Sequence, residues 1–225
     1  KNMKKENLII FAAHPDDEVL GCGGTMKKFS KKYNIISVFF ATGIASRSDK
    51  NLKKNIQILK KNCNDCNEIL GTKKIIYLDF EDNKMDIYPR LDVIKKIEKI
   101  INAFQPSLIF THYHKDLNID HEVVSKSVVT ACRPSKKNKN IKKILFFETL
   151  SSTEWSVERD FKPNYFVDIT KFISSKLKAM SKYKTELQKN PMPRSLDNIK
   201  TLAKLRGSEI NREYAESFFI YREVE

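Results

Sequence analysis

Cysteine is scarce: four residues in a chain of 225. That is too few for a disulfide scaffold, and a reducing cytoplasm is the expected compartment. No apolar run reaches the roughly 18 residues that a membrane-spanning helix needs, so no span is expected. Lys1-Asn2-Met3-Lys4-Lys5-Glu6 leads straight into a short apolar strand, without the apolar stretch of a secretory leader. Glycine is also sparse, and no Gly/Ser linker or internal repeat divides the chain, so residues 1–225 are read as one domain. Acidic residues are outnumbered, 28 Asp plus Glu against 42 Lys plus Arg, a net charge of +14. Such a surplus suits anionic partners. The Lys residues nevertheless fall in scattered pairs on the polar faces of predicted helices, with one dense patch at Lys136-Lys137-Asn138-Lys139-Asn140. No nucleic-acid motif accompanies them and aromatics are not interleaved with them. Nucleic-acid binding is therefore not expected, and most of the charge is read as solvated surface.

What is present is an alternation. Leu8–Ala13, Ile35–Ala41, Ile75–Leu78, Leu108–Thr111 and Ile144–Phe147 are short apolar runs of the kind that form buried parallel strands. Between them the spacing predicts helices over 19–33, from Ser48 or Asp49 to Leu70, over 91–104, and over 120–131. This βαβ rhythm predicts a doubly wound, mostly parallel α/β sheet with helices on both faces, a Rossmann-like arrangement. Beyond residue 150 the rhythm changes to a helical C-terminal extension. Strands are expected near 165–169 and 218–221, and helices over 172–188 and 195–206, with Gly207 as a helix-ending residue.

In open α/β sheets ligands bind at the carboxyl ends of strands. His14-Pro15-Asp16-Asp17-Glu18 follows the first strand. His112-Tyr113-His114, then Asp116 to His121, follows the fourth. All four His of the chain thus fall at two predicted strand ends. His and carboxylate together are zinc-type ligands, and three of them plus water is a catalytic pattern. His14, one Asp of the pair and His121 form the candidate set, leaving the second Asp to take a proton from the water. An ordinary helix entry capped by Asp17 is the competing reading of the first segment. His112 and His114 alternate on a strand end, and one of them can simply hydrogen-bond within the core. Gly21-Cys22-Gly23-Gly24 lacks the ending of a phosphate loop and is read as close packing of a helix on the sheet. Cys63 and Cys66 have metal-ligand spacing but lie on the buried face of a predicted helix, and are read as core.

At these residues the sequence resembles the PIG-L/LmbE-like family of zinc-dependent N-acetylglucosamine-type deacetylases. Ala13-His14-Pro15-Asp16-Asp17-Glu18 matches the family signature. Thr111-His112 and Asp116-Leu117-Asn118-Ile119-Asp120-His121 resemble its second motif. The likeness continues through Ala131-Cys132-Arg133-Pro134, Ser151-Ser152-Thr153-Glu154-Trp155, Pro193-Arg194-Ser195, Arg206-Gly207-Ser208-Glu209 and Ala215-Glu216-Ser217-Phe218, and so covers nearly the whole chain. The resemblance implies zinc ligands His14, Asp17 and His121, with Asp16 as general base. Two positions depart from the family pattern. Asn118 stands where some members carry a His that stabilises the oxyanion or protonates the amine, so His112, His114 or Asn118 itself is expected to take that part. Met192 stands where members of this branch often have His.

Arg47, His114, Trp155 and Arg194 are the expected substrate contacts, the Arg residues for phosphate or sugar hydroxyls and the single Trp for a sugar face. The expected activity is zinc-dependent removal of the N-acetyl group from an amino sugar or sugar conjugate, free or nucleotide-linked, in glycan biosynthesis. The alternatives are a zinc amidase of another N-acyl substrate and a catalytically inactive zinc-binding scaffold. Iron or cobalt would also suit the donor set, and a homo-oligomer is left open.

Overall fold

The computed structural model describes residues 5–41 and 52–225; Arg47 and the expected start of the second helix at Ser48 or Asp49 lie outside the described residues. Strands β1 (Glu6–Ala12), β2 (Tyr33–Ala41), β3 (Lys74–Phe80), β4 (Leu108–His112), β5 (Lys143–Phe147), β6 (Tyr165–Asp168) and β7 (Ala215–Glu223) form one sheet in the order β3-β2-β1-β4-β5-β7-β6. The first five run parallel to one another, and β7 runs antiparallel between β5 and β6. Helices α1 (Asp17–Phe29), α2 (Leu52–Leu70), α3 (Arg90–Phe104), α4 (Ile119–Ala131), α5 (Ile173–Met180) and α6 (Leu196–Ser208) flank it. The expected mostly parallel α/β sheet is what the chain forms.

The strands are apolar on both faces because both are covered. Leu8, Ile10, Phe39, Phe110 and Phe147 pack with α1, α2, α5 and α6. Ile9, Phe11, Phe40, Ile109 and Phe146 pack on the other side with α3 and α4. Register is consistent across the centre: Ile9 lies opposite Ile36 on one side and Ile109 on the other. Each such fully buried side chain contributes about 1.5–3 kcal/mol. Cys22, Cys63, Cys66 and Cys132 are all free and buried, as core cysteines. Gly21 meets the sheet directly, since a Cβ there would lie 2.3 Å from Phe147 Cδ2.

The helix expected over 19–33 ends at Phe29, with Tyr33 already in β2, and three further details differ from the sequence expectation. Helix α1 is interrupted at Cys22 (φ −145°, ψ 21°). Just beyond the interruption, the Gly24 and Thr25 amides donate to Glu216 at 2.9 and 2.7 Å. Glu216 also pairs with the buried Lys176 at 2.6 Å, so a carboxylate caps the restarted helix. The helix expected over 172–188 ends at Met180. Tyr183 is turned inward there and wholly buried, and this long-range burial overrides the local helical spacing. Gly207 lies inside α6 rather than after it. Its missing side chain admits Arg212, whose carbonyl oxygen would lie 2.6 Å from a Cβ.

Strand order reverses between β1 and β4, where the connections leave in opposite directions. A crevice at a switch point of this kind is where ligands bind in open sheets. Both motif segments open onto it.

Candidate active site

Chain direction changes sharply after β1. Asp16 adopts φ 116°, the left-handed region that L side chains rarely enter, and Asp17 then opens α1. The two adjacent carboxylates are separated by this turn. Asp17 Oδ2 accepts the His14 amide at 2.8 Å. It lies 3.4 Å from His14 Nδ1 and 3.3 Å from His121 Nε2. His14, Asp17 and His121 each offer one ligand atom, and these atoms lie within 4.8 Å of one another. All three residues are buried. Two imidazoles and a carboxylate at this spacing fit a zinc-type divalent ion.

A further ring of carboxylates orients the donors. His14 Nε2, on the far side of its ring, lies 2.9 Å from Asp120 Oδ2 and 3.1 Å from Asp82 Oδ1. His121 Nδ1 lies 3.1 Å from Asp116 Oδ1. Carboxylates behind ligating imidazoles fix the tautomer and raise ligand basicity. Asp120 is itself held by the Asn83 and Met85 amides at 2.7 and 3.0 Å. Asp116 is held by the Ser152 and Thr153 hydroxyls and the Asn118 amide. Asp82 follows β3, so the strand-end rule that located His14 and His121 also points to it. Asp116 and Asp120 stand inside the second motif without having been given a role.

The charges separate accordingly. Burial opposes ionisation of Asp17, but the charge of His121 and the hydrogen bonds of His121 and His14 outweigh it and hold the carboxyl well below its ordinary value. Burial and the Asp17 charge push Asp16 well above its ordinary value, with Arg194 opposing them. Burial disfavours a charged His121, yet Asp17 and Asp116 raise it to about 9. His14 is raised too, its bonds to Asp120, Asp17 and Asp82 overriding burial. Neighbouring carboxylates with pKa values pushed apart are the mark of divided roles.

His14, Asp16, Asp17, Asn118, His121, Trp155 and Arg194 all line one cleft of about 400 Å³. Asn118 is the N-cap of α4: its Oδ1 accepts the Asp120 amide at 2.9 Å, and its Nδ2 donates to Asn83 Oδ1 at 3.4 Å. Trp155 stands at the rim, 47% exposed. Arg194 does not point freely at a ligand. Its Nη1 is 3.1 Å from Asp16 Oδ2 and 3.5 Å from Glu186 Oε2. Glu186, a lining residue absent from the sequence reading, reaches the cleft only because the helix before it ends early. Met192 is exposed and does not line the cleft.

Two His residues stand elsewhere. His112 lies beneath the cluster with its ring stacked on His121 at 3.8 Å. Its Nε2 accepts the Ala13 amide at 2.9 Å, and burial followed by the His121 charge lowers it to about 3. A neutral ring already engaged in this way is a buttress, not a proton donor to the cleft. His114 is turned away altogether. The chain leaves the strand at His112, alternation stops, and the His114 ring packs on Phe146 on the opposite face of the sheet.

Residues 9–132, more than half of the chain, match the family described as PIG-L, GlcNAc-PI de-N-acetylase. The chain is similar to a probable N-acetyl-alpha-D-glucosaminyl L-malate deacetylase 2 of Bacillus cereus, at 26% identity over 83% of this chain and 86% of that protein. Among solved structures it is similar to the N,N'-diacetylchitobiose deacetylase of Pyrococcus horikoshii, with TM-score 0.77 and 26% identity over 96% of this chain and 83% of that one. A 4-carboxy-2-hydroxymuconate hydratase from Pseudomonas putida shares the fold, with TM-score 0.80 at 19% identity over 99% of both chains. The His/Asp cluster lies within the matched segment, and the chain belongs to the PIG-L family of hydrolytic N-deacetylases.

Proposed function

We propose that this protein is a zinc-dependent deacetylase that removes the N-acetyl group from an amino sugar or an amino-sugar conjugate, in glycan biosynthesis. The observation that carries the reading is the convergence of His14, Asp17 and His121 within 4.8 Å of one another beside Asp16 in a single cleft. The Bacillus and Pyrococcus relatives, a probable N-acetyl-alpha-D-glucosaminyl L-malate deacetylase and an N,N'-diacetylchitobiose deacetylase, support the substrate class. A divalent ion held by these three residues supplies Lewis-acid polarisation of the amide and a more acidic water.

The chain's own residues supply the rest. Asp16 is positioned to take a proton from the attacking water. Its raised pKa suits it to hold that proton and pass it to the departing sugar amine. Asn118 lines the cleft, and the Nδ2 hydrogen not given to Asn83 is a neutral donor for the oxyanion that develops at the amide carbonyl. Trp155, at the rim, offers an aromatic face to the sugar ring. Acetate and a free amine are the products.

The test is acetate release by zinc-loaded protein from N-acetylglucosamine, N,N'-diacetylchitobiose, an N-acetylglucosaminide and a nucleotide-linked N-acetyl sugar. Asp16→Asn is expected to keep its metal and lose about 10²–10⁴-fold in turnover. His121→Ala is expected to lose the metal. Full turnover in Asp16→Asn, or no release from any of these sugars by metal-loaded wild type, overturns the reading.

A further inference from the structure

Asp16 holds a backbone conformation (φ 116°) that is strained for a residue with a side chain, and such conformations persist only where the surroundings over-determine them. The restraint is visible. The Asp16 amide donates to Glu18 Oε2 at 2.9 Å. Glu18 is completely buried and does not line the cleft, so it cannot touch a substrate. Its other oxygen accepts the Tyr183 hydroxyl at 2.7 Å and Asn67 Nδ2 at 2.9 Å.

Asn67 is in turn fixed from three sides. Its Nδ2 also donates to the Cys63 carbonyl at 3.0 Å, and its Oδ1 accepts the Ser37 and Thr72 hydroxyls, each at 2.8 Å. Tyr183, wholly buried, begins the segment that carries Glu186 and Arg194, and Arg194 meets the Asp16 carboxylate at 3.1 Å. Glu18 therefore reaches Asp16 twice. It holds the amide directly, and through Tyr183 it anchors the segment that holds the carboxylate.

We propose that Glu18 is the positioning residue of the catalytic turn, set by Tyr183 and Asn67, and that it acts on turnover rather than on metal or substrate binding. The proposal rests on the deacetylase reading. Glutamine at this position keeps the size but turns an NH₂ group toward a ring of donors, so at least one of the three bonds is lost. A shift of the turn by about 1 Å is enough to cost on the order of 10²-fold in rate.

The experiment compares wild type, Glu18→Gln, Tyr183→Phe and the double variant as full-length, zinc-loaded protein. It reads acetate release from N,N'-diacetylchitobiose and N-acetylglucosamine, bound zinc, and thermal melting. The expected result for Glu18→Gln is a kcat lower by about 10–100-fold, with KM and zinc content within about twofold of wild type. Tyr183→Phe lowers kcat less, in the same direction. The double variant is no slower than Glu18→Gln, because both changes act through one carboxylate. A Glu18→Gln protein that melts lower but turns over like wild type overturns the proposal, as does loss of zinc or a raised KM at unchanged kcat. Should Glu18→Gln fail to fold, Tyr183→Phe decides, and wild-type kcat in that variant overturns the proposal. No acetate from wild type on any substrate would instead strike the deacetylase reading, and this proposal with it; activity in wild type and Glu18→Gln alike strikes the proposal alone.

Discussion

Asp16 and Asp17 are chemically identical neighbours with opposite surroundings. One faces Asp17, Glu186 and a single guanidinium; the other faces two imidazoles that favour its charge. Before a metal binds, His121 holds its proton up to about pH 9, and His14 is raised as well. Their folded pKa values lie above the ordinary imidazole value, so between that value and about 9 the metal-free protein carries protons that a metal must displace. Zinc loading should therefore release protons, and zinc affinity should fall as pH is lowered from about 9. Calorimetry in buffers of different ionisation enthalpy measures this directly, and loading without proton release would contradict the ligand set. The three candidate ligands and the proposed base stand in the sequence at strand ends, where the sheet's own geometry sends functional residues. Glu186 does not, because its place depends on where α5 stops, and that is decided by the burial of Tyr183. His114 was misplaced for a related reason: alternation predicts direction only while the strand continues, and β4 ends at His112.

At the scale of elements, α1 is two helical pieces joined at Cys22, and the second piece begins on the carboxylate of Glu216. Lys176 completes that contact, with both charged groups about 95% buried. Removing one partner of a buried pair leaves the other uncompensated, at a cost of about 3–5 kcal/mol. Lys176→Met should therefore lower the melting temperature by roughly 6–20 °C at about 2–4 °C per kcal/mol, while leaving zinc stoichiometry unchanged. A melting temperature within about 2 °C of wild type would mean that Glu216 is satisfied by the helix amides alone. The run Gly21-Cys22-Gly23-Gly24 was legible as close packing, and Gly21 against Phe147 and Gly24 against Ile169 bear that out. The interruption was not legible. The group that stabilises it lies 192 residues away from Gly24 in the chain, and local sequence carries no trace of such a partner.

For the whole molecule, the surplus of 14 positive charges does not gather at the cleft among the described residues. Its lining there includes Asp16, Asp17, Asp82 and Glu186 against one Arg194. Turnover of an uncharged N-acetyl sugar should accordingly change by less than about twofold between 50 and 300 mM salt, since screening acts mainly on exposed charges. A steep loss of kcat/KM with salt would place the basic surplus in substrate recognition. The sheet class was readable from the βαβ rhythm alone. The place of β7 was not, because pairing between distant segments is settled by the finished core and not by the residues of the strand itself.

That placement bears on how the protein is made. β7 is inserted between β5 and β6, although more than forty residues separate it from β6 along the chain. During synthesis at about 5–20 residues per second, the edge of β5 and the helix interruption at Cys22 emerge seconds before the strand that covers the one and caps the other. Until then the nascent chain carries its candidate metal-binding residues without the Glu216 clamp. Of the seven strands of this sheet, the last to be translated is the one that closes the structure around the first motif.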